Sequence, residues 1–254
     1  MVSRIPCNTE KGESLLMIRQ AEREDEIEKA MRLRFEVFNL ELKEGLPASY
    51  LTGLDTDEYD HYCDHIIIVD TARDRVVGTY RILPGSRTED GIGFYSEQEF
   101  EMSGIKRLPG KKIELGRACV HKDYRNSAVL GLLWAGIARY VEEHRVDHLF
   151  GCGSIHTINP LIVSGIYALL KRNYLADEAC RVHPIKKVPG FRETEEYDRK
   201  AIAPHIPALL HSYLRMGAKI AGQPAWDEEF GVSDFLVLLK RKEVMEKYRR
   251  HFLS

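Results

Sequence analysis

The chain has 254 residues, of which 44% are hydrophobic and 30% charged, and a formal net charge of -2. This composition excludes a disordered polymer and gives no support to a general nucleic-acid binder. Five cysteines, odd in number and without paired C-x-x-C spacing, argue for a reducing cytoplasm and against a disulfide framework or structural zinc.

No apolar signal core opens the sequence and no run is long enough to span a bilayer, so the expectation is a cytoplasmic protein, with peripheral contact to the inner membrane face left open. Residues 15–20 (L-L-M-I-R-Q) read as a first strand. The stretch 22–39 carries Ile27, Ala30, Met31, Arg34, Val37 and Phe38 at helical spacing. Arg34 falls on that apolar stripe, so it needs a buried partner or a ligand, or it lies at the rim and reaches water. Residues 40–64 have no clear period and hold D-T-D-E-Y-D-H-Y-C-D, either a solvated surface, a cation-binding lid or a metal loop. The run lacks the glycine turn and terminal Glu of an EF-hand, which argues against calcium.

His65 to Asp70 and Arg75 to Leu83 form a strong strand pair with T-A-R-D as the hairpin turn. Arg81 stands within an otherwise apolar strand and points either to the rim or into a site. Residues 86–112 are an irregular excursion. Then comes I-E-L-G-R-A-C-V-H-K-D-Y-R-N-S-A-V-L from Ile113, a strand, a polar turn and a long amphipathic helix running to about Tyr140. A helix N-terminus presents unpaired N–H groups and a positive dipole end, so this arrangement is a natural phosphate cradle. Regular alternation puts Ile113, Leu115, Arg117 and Cys119 on one face and Glu114, Gly116, Ala118 and Val120 on the other, unless a bulge shifts the register. Glu114 is then a carboxylate on a face stripped to small residues, a candidate general base.

A strand from Val146 to Cys152 leads into G-C-G-S-I-H-T-I-N-P, where Asn159-Pro160 caps a helix to Lys171. Cys152 and His156 invite a Cys–His nucleophile reading, weighed against a buried thiol and a loop histidine. Further on, 181–187 reads as a strand, 204–216 as a helix, and 218–221 and 234–239 as strands around Trp226-Asp-Glu-Glu-Phe230. A basic helix follows from Lys240. With no repeat or low-complexity linker, the expectation is one continuous domain over 1–254 with an extension from about residue 200.

The β–α–β–β–β–α–β–α order resembles the GNAT N-acyltransferase fold, α+β with a mixed central sheet flanked by helices. R-F-E-V-F (34–38), E-Y-D (58–60), G-x-x-R-I-L-P (78–84) and E-L-G-R (114–117) are similar to the acyl-homoserine lactone synthase series. E-L-G-R-A-C-V-H-x-x-Y-R-N-S, F-G-C-G-S-I-H and P-A-W-D-x-E-F-G-V-x-D-F more closely resemble the ornithine N-acyltransferases that begin ornithine-lipid synthesis. The resemblance implies an acyl-carrier-protein thioester as donor, no permanently bound cofactor or metal, and a (3-hydroxy)fatty acyl group passed to the α-amine of an amino acid, ornithine in this family. Alternatives are another acceptor amine, as in acyl-homoserine lactone or N-acyl aromatic amino acid synthesis, or a non-catalytic acyl-carrier-binding module.

Glu114 is the expected base. Glu58 and Asp60 are candidates for the acceptor's ammonium and Arg34, Arg81 and Arg117 for its carboxylate, or the arginines hold the acidic loop closed. Asp227, Glu228 and Glu229 are a second acidic cluster that faces an ornithine side chain in the same reading. Val120, Lys122, Arg125, Asn126 and Ser127 are expected at the pantetheine phosphate. The turn departs from the usual CoA pattern, because Ala128 and Leu130 fill positions where glycines admit a pyrophosphate. Acidic acyl carrier protein calls for a basic surface, supplied by Lys122, Arg125 and Arg139 or by Lys240, Arg241, Lys242, Lys247, Arg249 and Arg250. The second run also suits anionic lipid.

Overall fold

The computed structural model describes residues 3–9, 12–89 and 91–252, and the chain forms two compact units. The first comprises Met1–Arg87, Leu115–Arg145 and Tyr248–Ser254, the second Thr88–Glu114 and Val146–Lys247. The boundary falls within one strand, between Glu114 and Leu115.

In the first unit, β1 (Ser3–Thr9), β2 (Gly12–Gln20), β3 (Asp64–Asp70), β4 (Arg75–Pro84) and β5 (Lys112–Val120) lie in that order in the sheet. The pairs β1–β2, β2–β3 and β3–β4 are antiparallel. The β3–β4 hairpin turns where the sequence places it, with Asp74 in the left-handed region at φ 46. Apolar β3 and β4 are buried almost throughout because both faces are covered. Helix α1 (Glu24–Phe35) packs Ala30 and Leu33 among Ile67, Val69 and Val76. It continues as a π-helix over Glu36–Leu42, a local widening the helical spacing did not reveal. Helix α2 (Ser127–His144) comes so close to the sheet that a Cβ on Gly136 would lie 2.5 Å from Ile18.

In the second unit, Lys112–Glu114 of β5 pair in parallel with residues 148–150 of β6 (His148–Ile155). Strand β8 (Val232–Lys240) runs antiparallel to β6 and also pairs with β7 (Ala225–Asp227). The sheet is therefore mixed, as expected. Asn159 accepts from the N–H groups of Leu161 and Ile162 and caps α3 (Pro160–Tyr174). Helix α4 (Ala208–Arg215) begins four residues later than expected, because Pro207 is extended and stands as its N-cap. The strand expected over 181–187 shrinks to His183–Pro184. The basic segment forms α5 (Arg241–Phe252). Among the described residues, no helix is long and apolar enough to cross a membrane.

Candidate active site

The first unit holds a buried ionic cluster. Arg34, 0% exposed, projects from the end of α1. Its Nε and Nη2 donate to Asp55 at 3.0 and 2.5 Å, and its Nη1 and Nη2 to Asp60 at 2.7 and 3.1 Å. Arg81, from β4, donates to Asp57 at 2.5 Å and Asp60 at 3.1 Å. Arg117 reaches Asp57 at 3.3 Å and lies 3.6 Å from Asp55. Three guanidiniums thus face three carboxylates and fasten the loop 55–60. Burial opposes ionisation of Asp60, but Arg34 and Arg81 outweigh it and hold the carboxyl well below the usual range. Glu58 is exposed and outside this cluster. Arg34, Asp60, Arg81 and Arg117 are brought together; Glu58 is not.

Arg117 has φ 49 within β5, so the regular alternation expected of that strand is interrupted there. A non-glycine residue in this region costs about 1–2 kcal/mol. Here the two aspartates and the ring of Phe38, 6.0 Å from the guanidinium, hold the side chain in place.

The turn after β5 is tied by its own side chains. Asn126, expected at the phosphate, accepts from the Val129 N–H at 3.0 Å and caps α2. Arg125 donates to the Val120 carbonyl at 2.9 Å and to both carboxylate oxygens of Glu41 at 2.5 and 2.7 Å. Lys122 and Ser127 are exposed, as is Ala128, and Leu130 is half-buried. Of the expected basic patches, Arg139 pairs with Glu143 and Lys240 with Asp177, while the side chains of Lys247, Arg249 and Arg250 lie outside the described residues.

The second unit carries a line of buried polar side chains on one face of its sheet. Glu114, 4% exposed, accepts from the backbone N–H groups of Tyr95 and Ser96 at 2.7 and 2.8 Å and from the Ser96 hydroxyl at 2.5 Å. Those donors come from a single-turn helix, Tyr95–Gln98, inside the excursion that looked structureless in sequence. The Ser96 oxygen also lies 3.4 Å from Cys152 Sγ, and Cys152 lies 3.6 Å from Glu99 Oε1. Glu99, Cys152 and Asp234 bring oxygen, sulfur and oxygen within 4.8 Å of one another. Register accounts for the set: Glu114 stands opposite Phe150, and Asp234 opposite Ser154, so Glu114, Cys152, Ser154 and Asp234 share a face.

Glu99 and Asp234 were not anticipated. Asp234 is a lone carboxylate inside the apolar strand V-S-D-F-L-V-L-L, the same signal that singled out Arg81. Glu99 gave no periodic signal at all. Cys152 is no activated nucleophile: burial, with Glu99, Asp234 and Glu114 close by, pushes its thiol well up, and His156 is exposed. Of the acidic cluster after Trp226, Asp227 faces Glu99 and Asp234, whereas Glu228 pairs at the surface with Lys186.

Burial, then the charges of Asp234 and Asp227, push the Glu99 carboxyl up to about 10. Burial likewise pushes Asp234 up to about 6, with Asp227 raising it further and Ser154, Glu99 and His156 acting the other way. At neutral pH the pair therefore keeps a proton on Glu99 that the unfolded chain releases above its ordinary carboxylate range. A folded-state pKa raised in this way stabilises the protein at low pH, and that stability is lost as pH rises toward 10. The ligand-free protein should melt lower at pH 9 than at pH 6. Glu99→Gln should flatten this slope and melt roughly 5 °C above the parent at pH 9. Parallel melting curves for the two proteins across that range would contradict the assignment.

Comparison with known proteins agrees with this architecture. An acetyltransferase (GNAT) domain matches residues 33–135. A CoA-dependent acyl-homoserine lactone synthase solved with MTA has the same fold, with a TM-score of 0.55 at 15% identity over 92% of this chain and 88% of that one. The chain thus has the GNAT fold. It is 31% identical to an L-ornithine N(alpha)-acyltransferase of Brucella abortus over 93% of this chain and 88% of the relative. It is 32% identical to another from Agrobacterium fabrum over 93% and 85%. On these grounds it belongs to the L-ornithine N(alpha)-acyltransferase family.

Proposed function

We propose that this enzyme transfers a (3-hydroxy)fatty acyl group from the phosphopantetheine thioester of acyl carrier protein to the α-amine of ornithine, giving a lyso-ornithine lipid. The observation that carries the reading is Glu114, a buried carboxylate whose orientation is fixed by Tyr95 and Ser96. An α-amine is largely protonated at neutral pH and must lose a proton before it attacks. Glu114, directly or through water, takes that proton; the nitrogen then forms a bond to the thioester carbon. The C–S bond breaks as the second proton of the attacking nitrogen passes to the departing thiolate, and Glu114 returns the first proton to solvent. The ionic cluster of Arg34, Arg81 and Arg117 acts by positioning the loop 55–60.

The acceptor follows from the L-ornithine N(alpha)-acyltransferases to which the chain is similar, and the donor from the turn. Val120, Lys122, Arg125, Asn126 and Ser127 receive the phosphate of a protein-bound pantetheine, where Ala128 and Leu130 keep a CoA pyrophosphate away. Intact-mass detection of N-acyl product with a panel of amines tests the reaction. Purified enzyme should prefer acyl carrier protein over acyl-CoA by about tenfold or more in kcat/KM. Equal efficiency with the two donors would remove the carrier-protein assignment, and a mass shift on amines other than ornithine would remove the acceptor.

A further inference from the structure

The first unit exposes an apolar surface that the acyl transfer does not use. Leu40 and Leu42, at the end of the π-helix, form one half of it, and Tyr50 and Leu51, in the helical turn Ser49–Thr52, form the other. All four side chains are exposed, Leu51 by 89%. The two halves lie side by side: the Tyr50 hydroxyl donates to the Asn39 carbonyl at 2.9 Å, and its ring meets Phe35 edge-on with centroids 5.4 Å apart. Asn39 is fully buried and its amide donates to the Leu46 carbonyl at 2.8 Å, closing the loop between the halves. The loop is thus anchored through Asn39 and Tyr50, and its leucines are left facing solvent. A single exposed leucine is ordinary, but four large apolar side chains gathered at one place mark a surface that something covers.

The charges around this face are unequal. Glu36 pairs with Arg75 at 2.8 Å and Glu41 with Arg125 at 2.5 Å, and Glu44 is half-buried. Lys43, in sequence between the two halves, is exposed and has no ion pair among the described residues. The same holds for Lys122, which stands close enough to Glu41 to add to the lowering of its carboxyl by Arg125. Asp123, next to it, faces His121 at 3.8 Å. The edge is therefore cationic around an apolar centre. We propose that this face seats on the surface of an anionic lipid bilayer, with Leu51 entering the acyl boundary and Lys43 and Lys122 at the headgroups. A fluid hydrocarbon needs no matching pocket, which fits a leucine that protrudes almost completely, and a tyrosine beside it fits the wet edge of the interface. An acidic carrier protein fits less well, because it binds by paired charges and the arginine nearest the face is already held by both oxygens of Glu41. The proposal goes beyond the acyl-transfer reading and stands without it.

The test is co-sedimentation of the full chain with vesicles of phosphatidylcholine alone and of equal parts phosphatidylcholine and phosphatidylglycerol. Wild type should bind the mixed vesicles about tenfold or more tightly than the neutral ones, two lysines each adding roughly fivefold. Leu51→Glu should weaken binding to the mixed vesicles by about tenfold or more, the loss of one leucine's burial. Lys43→Gln should weaken it by roughly fivefold. Both positions are exposed, so each variant should melt within about 2 °C of wild type. Wild type that stays in the supernatant with both vesicles, or Leu51→Glu that binds as wild type does, overturns the proposal. Binding lost in Arg249→Gln/Arg250→Gln and kept in Leu51→Glu assigns the contact to the C-terminal helix and also overturns it. So does Leu51→Glu that raises KM for acyl carrier protein, or turns a wild-type dimer into monomer in sedimentation velocity, with vesicle binding unchanged: the face is then a protein-docking surface or an interface between copies. Vesicle binding that follows the expected order in a protein that acylates no amine supports the proposal and removes only the acyl-transfer reading.

Discussion

Glu114→Gln is expected to lower turnover by roughly 10²–10⁴-fold, the range for loss of a positioned proton acceptor. The substitution keeps volume and shape, so the packing against Ser96 is kept. It also has a structural cost that must be separated from the chemical one. Glu114 Oε2 accepts from the Tyr95 N–H and Oε1 from both donors of Ser96. A glutamine can present its oxygen to only one of these sides and turns an NH2 group toward the other, leaving an unmet donor worth about 1–3 kcal/mol. The variant should therefore melt a few degrees lower yet remain folded at assay temperature. Single-turnover rates distinguish the effects: loss of the base slows the chemical step with acceptor KM little changed, whereas distortion of the Tyr95–Gln98 turn raises KM. Near-complete turnover by a folded Glu114→Gln protein would end the assignment of Glu114 as base.

What the sequence made legible was local. The hairpin 64–84, the Asn159 cap and the strand–turn–helix from Ile113 are written in residues close together, and the structure has them where the pattern puts them. The inward Arg34 and Arg81 were visible as charges on apolar faces, and the acidic loop as something they could hold closed, but not which arginine meets which aspartate. Asp55 lies in a loop without period, and the match depends on tertiary folding. The single-turn helix at Tyr95–Gln98 was invisible for a related reason: a turn stabilised by donating its N–H groups to a distant carboxylate needs no apolar repeat. Arg117 at φ 49 has no residue-type signal, since glycine is the usual marker of that conformation and glycine stands one place earlier. The unread parts are those in which a long-range polar contact outweighs local preference.

Arg34→Met should be the most destabilising single change in the first unit. Asp55 depends on Arg34, whose Nε and Nη2 both bind its Oδ1; its Oδ2 has no hydrogen-bond partner among the described residues. Asp60 keeps Arg81. Removing Arg34 therefore leaves three carboxylates, two of them buried, to two guanidiniums, with His65 next to Asp60 held neutral chiefly by burial. Breaking a buried pair from one side costs about 3–5 kcal/mol, which for a chain of this size lowers the melting temperature by roughly 10 °C. The pH dependence fixes the cause. In wild type the depressed Asp60 carboxyl contributes stability above the ordinary Asp range, lost only as pH falls through its folded value. In the variant a stranded carboxylate binds a proton more tightly folded than unfolded, so stability falls as pH rises above about 4. The gap between the two proteins should accordingly be wider at pH 8 than at pH 5. Arg34→Met/Asp55→Leu removes the stranded acid together with its partner and should recover part of the loss, since apolar replacement of both members of a buried pair is often neutral. If Arg34→Met melts within a degree or two of wild type, or the double variant is no better than the single, the cluster is not what holds the loop 55–60 to α1.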